Sequence, residues 1–423
     1  MEQKLVSLLD QREQRTIGLL QDLVRINTSN PYSGDVNPGG EKAGQELLRP
    51  LLEDMGAHIH MFDCPDDIYE RNKVIGPKNR DFTDRPNLVA TWDFGGDGPT
   101  VIVNGHMDTV GIDTYQGDPL SGAIIDGRML GRGTSDCKGG ICTAVSAIGA
   151  MLDVAQGLQG KLIFESVVDE ECNGGGAGTL ACLEAGYKSD IAVFVDGKEG
   201  AITIGCNGVL TAAADVVGQA GHAAFGTGVN AIEKAGLIQD AILDFKHTRE
   251  QQRQGAKLNL GIFRGGIHPA VVPAEARLEM NMVYELDEAR ASRQSTGVWG
   301  AALLREQFEQ HIRAAEQNDE WLQQHPTAIT WIKDLVPFSE EENQPLVQAL
   351  TAAHEAVSGS RPTIDRMVAW TDACWTSAYA DIRTVLYGPA AHGAPHTDNE
   401  FINLDMLLQC TKVLAVFLLR QFT

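Results

Sequence analysis

Histidines and carboxylates in this chain fall just beyond short apolar runs. TVIVNGHMD puts His106 and Asp108 past one run, and GKLIFESVVDEE puts Asp169, Glu170 and Glu171 past another. AVFVDG does the same with Asp196, and TVLYGPAAHGAPH leads to His392 and His396. Imidazole and carboxylate converging without cysteine suit a hydrolytic metal site, with zinc first and manganese or cobalt admitted by the carboxylates. In an H-x-D step on extended backbone the two side chains share a side. Asp108 could therefore accept the second N–H of a metal-bound His106 and fix its tautomer. Adjacent Glu170 and Glu171 point different ways, so one could bind metal while the other faces a water as general base. GRGTSDCKGG (131–140) precedes a helix, its glycines permit close backbone approach, and a carboxylate at Asp136 could bridge two ions. It lacks GxxxxGK[ST] and is no P-loop. Taken singly, each piece also reads as an ordinary polar turn; their common place at strand ends is what gives them weight.

The elements that must position these residues read as α/β. NLVATWDF, TVIVNGH, GKLIFESVVD and DIAVFVD are near-continuous apolar runs, the mark of strands buried on both faces, and KGGICTAVSAIGAMLDVA between them reads as a helix. In such sheets ligands bind outside the carboxyl ends of the strands. The expected architecture is an α/β/α sandwich with a mostly parallel sheet. Near residue 206 the pattern shifts: KLNLGIFRGG and ARLEMNMVYEL alternate like half-exposed antiparallel strands. The reading gives a catalytic domain over 1–207 and 324–423, interrupted by a smaller α+β domain over 208–323. A helix is expected over most of the first 23 residues and a long one over 299–323. Residues 64–86 are polar and Pro-rich, an expected surface excursion. His58, His60, His247, His311, His325 and His354 read as surface groups, and His392 as a loop residue.

With 423 residues, about two domains are expected. Lys plus Arg is 34 and Asp plus Glu 57, a net charge of −23, which repels phosphate backbones and argues against nucleic-acid or anionic-membrane partners. The first twenty residues are charged and amphipathic, unlike a signal peptide, and no apolar run reaches the ~18 residues that a membrane span needs. The eight cysteines have no framework spacing and read as reduced thiols, so a cytoplasmic location is expected.

HMD, GRGTSDCKGG, VVDEE, VDG and PHTDNEF, in that order, resemble the zinc aminoacylase–carboxypeptidase family, which includes acetylornithine deacetylase and succinyl-diaminopimelate desuccinylase. The resemblance runs from about Asn87 to Ile402. It implies two divalent metal ions, most often zinc. His106 and Asp196 would hold one ion, Glu171 and His396 the other, and Asp136 would bridge them. Asp108 would orient His106, and Glu170 would be the general base. The inserted domain would be a lid and dimerisation domain, making the protein a homodimer. GQAGHAAFGTGVNAI resembles the family stretch whose histidine, here His222, stabilises the oxyanion in the partner subunit's site. WTDACW resembles a turn near the substrate and offers Asp372.

Departures bear on the substrate. In GGIHPAVVP, Ala270 stands where the family has Asn, and Val283 stands where it has the Arg that clamps a substrate carboxylate. The substrate then lacks the usual α-carboxylate, or Arg264 or His268 serves instead. The expected activity is metal-dependent hydrolysis of a small N-acylated amine or amino acid, a deacylase. Alternatives are a dipeptidase or carboxypeptidase of the same family, a deformylase of a heterocyclic amide, a related aminopeptidase, and a non-catalytic metal-binding relative.

Overall fold

The structure is a computed structural model describing residues 1–172 and 174–423. The chain forms two compact units. The larger comprises Met1–Ile68, Asn79–Cys206 and Phe338–Thr423; the smaller comprises Tyr69–Lys78 and Asn207–Pro337.

Among the described residues, one nine-stranded sheet organises the larger unit. Its strands are β1 (His58–Asp63), β2 (Pro86–Gly95), β3 (Thr100–His106), β4 (Gly160–Val167), β5 (Ile191–Phe194), β6 (Ile202–Cys206), β7 (Phe338–Ser339), β8 (Ile364–Met367) and β9 (Arg383–Tyr387). They lie in the order β1-β2-β4-β3-β5-β9-β6-β7, with β8 beside β6. The central four, β4, β3, β5 and β9, run parallel, and their flanks are antiparallel. Their apolar runs are buried because helices cover them. Lys138–Val154 and Leu404–Phe422 pack against Val101, Val103, Leu162 and Phe164 on one face. All four parallel strands end at the same rim, and each sends the residues singled out above into the loop that follows.

The smaller unit is α+β. An antiparallel sheet runs in the order Lys257–Gly265, Glu275–Tyr284, Gly208–Val217, Ala328–Leu335, with helices including Ala231–Gln252 and Ala302–Glu316 on its apolar side.

Five expectations are corrected. The insert does not end at residue 323: Ala328–Leu335 pairs with Gly208–Val217, and Trp331 on it meets Phe308 edge-on at 5.8 Å, so this unit reaches Pro337. The long helix over 299–323 is two, Ala302–Glu316 and Glu320–Gln324. Asp319 starts the second by accepting from the N–H groups of Trp321 and Leu322 at 3.1 and 3.0 Å. The N-terminal helix is likewise two, Glu2–Gln11 and Glu13–Val24, broken at Arg12. Residues 64–86 are no mere surface excursion, because Phe82, Arg80 and Arg85 are buried within them. His354 is also buried, its Nδ1 lying 3.0 Å from the Tyr387 hydroxyl. All eight cysteines are free thiols, and no helix of the described residues is long and apolar enough to cross a membrane.

Candidate metal centre

β3 ends on His106, whose Nδ1 lies 2.9 Å from the backbone carbonyl of Asp108. That carbonyl takes the Nδ1 side, leaving Nε2 to face the rim. The Asp108 carboxylate is farther, 3.7 Å from Nδ1. It accepts instead from Asn30 Nδ2 at 2.8 Å and from the backbone N–H groups of Glu171 and Glu170 at 3.0 and 3.3 Å. Asp108 thus orients His106 through its main chain rather than its side chain. The carboxylate serves a different end, tying the turn after β3 to the loop after β4.

Asp136 sits between two imidazoles. Its Oδ1 is 2.9 Å from His106 Nε2 and its Oδ2 is 3.1 Å from His396 Nε2. His396 Nε2 is also 3.0 Å from Glu171 Oε1. Donor atoms of His106, Cys137 and Asp196 lie within 4.8 Å of one another, as do those of Asp136, Glu171 and His396. Asp136, Glu170, Glu171 and Asp196 therefore crowd four carboxyl groups around two imidazoles. Burial pushes Glu171 up to about 7, with Asp136 adding to the rise. Burial and neighbouring acids push Glu170 and Asp196 well above the usual carboxyl range. His396 is pushed up to about 11 by its hydrogen bonds to Asp136 and Glu171. Burial works to raise the Asp136 carboxyl, but its bonds with both imidazoles hold it low. Anionic oxygens and imidazole nitrogens at this density, with one carboxylate facing both sides, are the donor chemistry of a pair of hard-to-borderline divalent cations. The residues present fit such a pair.

The surroundings hold these groups in place. Glu400 is buried, and its carboxylate accepts from Arg132 Nη1 at 2.8 Å and from the backbone N–H groups of Gly133, Ser135 and Asp136 at 3.1, 2.9 and 3.2 Å. It fixes the loop that presents Asp136 from the segment that also carries His396. On the other side Arg80 donates to the Cys172 carbonyl at 2.8 Å and lies 3.4 Å from Asp169, over the Tyr32 ring. Arg85 pairs with buried Glu41 through two hydrogen bonds. These guanidinium groups brace the loop bearing Glu170 and Glu171. Sequence reasoning missed Asn30, Glu41, Arg80, Arg85, Arg132, Glu400 and Cys137, whose thiol donates to the His106 carbonyl at 3.3 Å. Arg132 and Cys137 stand in GRGTSDCKGG and Glu400 in PHTDNEF, so the motifs held the signal; Asn30 and the two arginines had none.

Asp372 is buried; its Oδ2 accepts from Thr179 Oγ1 at 2.8 Å, tying it to the helix Ala177–Glu184, while its Oδ1 has no hydrogen-bond partner among the described residues, and burial pushes the carboxyl up to about 7. In the smaller unit His222 is exposed, lies tilted against Phe225 with ring centroids 4.6 Å apart, and accepts from the Ala224 N–H at 3.2 Å. Arg264 is already paired with Glu279 at 2.6 Å, and His268 caps its own turn through Ala270 N–H. His392 is an exposed loop residue.

Glu400→Ala should cost about 3–5 kcal/mol in urea unfolding, because it leaves Arg132 buried without its partner. Wild-type stability in that variant would contradict the clamp.

The profile of peptidase family M20/M25/M40 matches residues 102–420. Among curated relatives, the N-formyl-4-amino-5-aminomethyl-2-methylpyrimidine deformylase of Halalkalibacterium halodurans is 27% identical, over 98% of this chain and 96% of its own. The enzyme of the same name from Bacillus subtilis is 26% identical, over 99% and 98%. A probable succinyl-diaminopimelate desuccinylase of Staphylococcus epidermidis is 22% identical, over 94% and 95%. The fold matches the di-peptidase Dug1p of Saccharomyces cerevisiae with a TM-score of 0.73 at 14% identity, over 100% of this chain and 98% of that one. It also matches a Bacillus subtilis protein described as a dinuclear metal-binding peptidase, with a TM-score of 0.65 at 16% identity, over 97% and 98%. With its histidine- and carboxylate-bearing loops at one rim of a parallel sheet and the family pattern running through all of them, this chain belongs to peptidase family M20/M25/M40 and is a metal-dependent hydrolase of amide bonds.

Proposed function

We propose that the protein removes a small acyl group, formyl above all, from the amine of a heterocycle-bearing substrate. The observation that carries this reading is end-to-end likeness to two pyrimidine-amide deformylases, at 27% and 26% identity. The absence of the family's carboxylate-clamp residues at Ala270 and Val283 supports it. A substrate without an α-carboxylate does not need that clamp.

On this reading His106 and Asp196 hold one divalent ion, Glu171 and His396 hold the other, and Asp136 serves both. Zinc is the expected metal, with cobalt or manganese as substitutes. When bound, the ions supply polarisation of the scissile carbonyl and acidify the attacking water toward ~7. Glu170 takes the proton from that water at its carboxylate and delivers it to the departing nitrogen. Its raised proton affinity, set by burial and by neighbouring acids, suits both halves of that transfer. The Asp108 carbonyl keeps His106 in the tautomer that leaves Nε2 unprotonated. Glu170→Ala should cut kcat by at least about 10²–10⁴-fold with metal content unchanged. Near-normal turnover in that variant would overturn the assignment. Against formylated aminopyrimidines, N-succinyl amino acids and dipeptides, the metal-loaded enzyme should release formate fastest. Preference for a succinyl substrate would favour the desuccinylase reading instead.

The smaller unit serves as lid and homodimer contact, and His222 donates to the oxyanion of the partner subunit's substrate. Exposed Ile262 and Phe263 on the edge strand Lys257–Gly265, with exposed Leu237 and Leu243 on Ala231–Gln252, support a second copy as the partner. Mixing inactive Glu170→Ala and His222→Ala chains should restore activity, since a mixed dimer holds one intact site. No restoration on verified mixed dimers would show that His222 does not act across the interface. Eight free thiols support a cytoplasmic workplace.

A further inference from the structure

Two thiols outside the metal centre lie in contact. Cys206 Sγ is 3.2 Å from Cys374 Sγ, though 168 positions separate them in the chain. Cys206 closes β6, where it pairs with Phe338 on one side and Met367 on the other. Cys374 lies in the turn after Asp372 and is fixed by its own N–H donating to the Thr371 carbonyl at 3.2 Å. Both are buried, at 1% and 0% exposure. The other thiols are placed differently. Cys137 and Cys142 donate to backbone carbonyls, Cys64 accepts from Asn87, and Cys410 faces Met406. Among the described residues this is the one pair of thiols in contact. A disulfide bond is ~2.05 Å long, so closing this pair asks for a movement of only about 1 Å.

We propose that Cys206 and Cys374 form an oxidation site, a dithiol that hydrogen peroxide converts to a disulfide. One sulfur attacks the peroxide: an S–O bond forms, the O–O bond breaks and one water leaves. The second sulfur displaces the new hydroxyl: the S–S bond forms, the S–O bond breaks and a second water leaves. Two electrons pass from the two thiols to the peroxide, and a dithiol reductant reverses the change. The bond closes a chain loop that contains residues 207–337 of the smaller unit and ties β6 to the turn carrying Asp372. Because both sulfurs are buried, the oxidant must be about the size of water. A bulky aromatic disulfide reagent should instead meet half-buried Cys172 first.

The test treats reduced, metal-loaded protein with hydrogen peroxide, blocks the remaining thiols in denaturant with N-ethylmaleimide, and maps the digest by mass spectrometry. The expected result is a linked pair of peptides containing Cys206 and Cys374, two hydrogens lighter than their sum and separated by dithiothreitol. The linked species should be absent from Cys206→Ser. Recovery of Cys206 and Cys374 as separately alkylated peptides, while Cys172 is oxidised, would overturn the proposal. So would a link from Cys374 to any other cysteine. The wild-type map decides the matter alone if the variant does not fold. The readout is mass rather than turnover, so it stands apart from the proposed chemistry of the metal centre.

Discussion

A carboxylate held between two imidazoles governs this protein. Asp136 meets His106 with one oxygen and His396 with the other, at 2.9 and 3.1 Å, while Glu170, Glu171 and Asp196 press the same space with further negative charge. Like charges gathered out of water are strongly unfavourable unless protons or cations compensate them. The raised proton affinities of Glu170, Glu171 and Asp196 express that cost when only protons are available. Divalent cations held by these residues would remove it more completely and would supply a polarising charge for an amide carbonyl. The fold tolerates this local strain because it also gives the site its chemistry.

Keeping such a cluster assembled requires fixed loops, and two further buried carboxylates provide them. Asp108 gathers the N–H groups of Glu170 and Glu171 and the amide of Asn30, so the turn after β3 and the loop after β4 move together. Glu400 gathers three backbone N–H groups and the Arg132 guanidinium, so the Asp136 loop is bound to the segment after His396. Each carboxylate is satisfied by several donors, the condition under which a buried charge rigidifies rather than weakens. The parallel strands contribute the common rim, and these two acids set the distances across it.

The larger part of this arrangement was legible in the residues themselves. Apolar runs ending in His106, Asp169–Glu171 and Asp196 located three of the four parallel strand ends, because strands buried on both faces leave little ambiguity. The Asp136 loop was legible from its glycines. Bracing by Arg80, Arg85 and Glu41 was not, since a polar, Pro-rich stretch looks the same whether its arginines meet water or reach beneath a loop. The strand Ala328–Leu335 was assigned to the wrong unit because a single edge strand carries no local sign of which sheet it joins.

The most direct measurement is elemental analysis of the protein equilibrated with zinc, alongside Asp136→Ala. Two ions per chain in the wild type, falling to one or none when the shared carboxylate is removed, is the expected result. An absence of bound ions in the wild type at saturating supply, or two ions still held by the variant, would contradict the account.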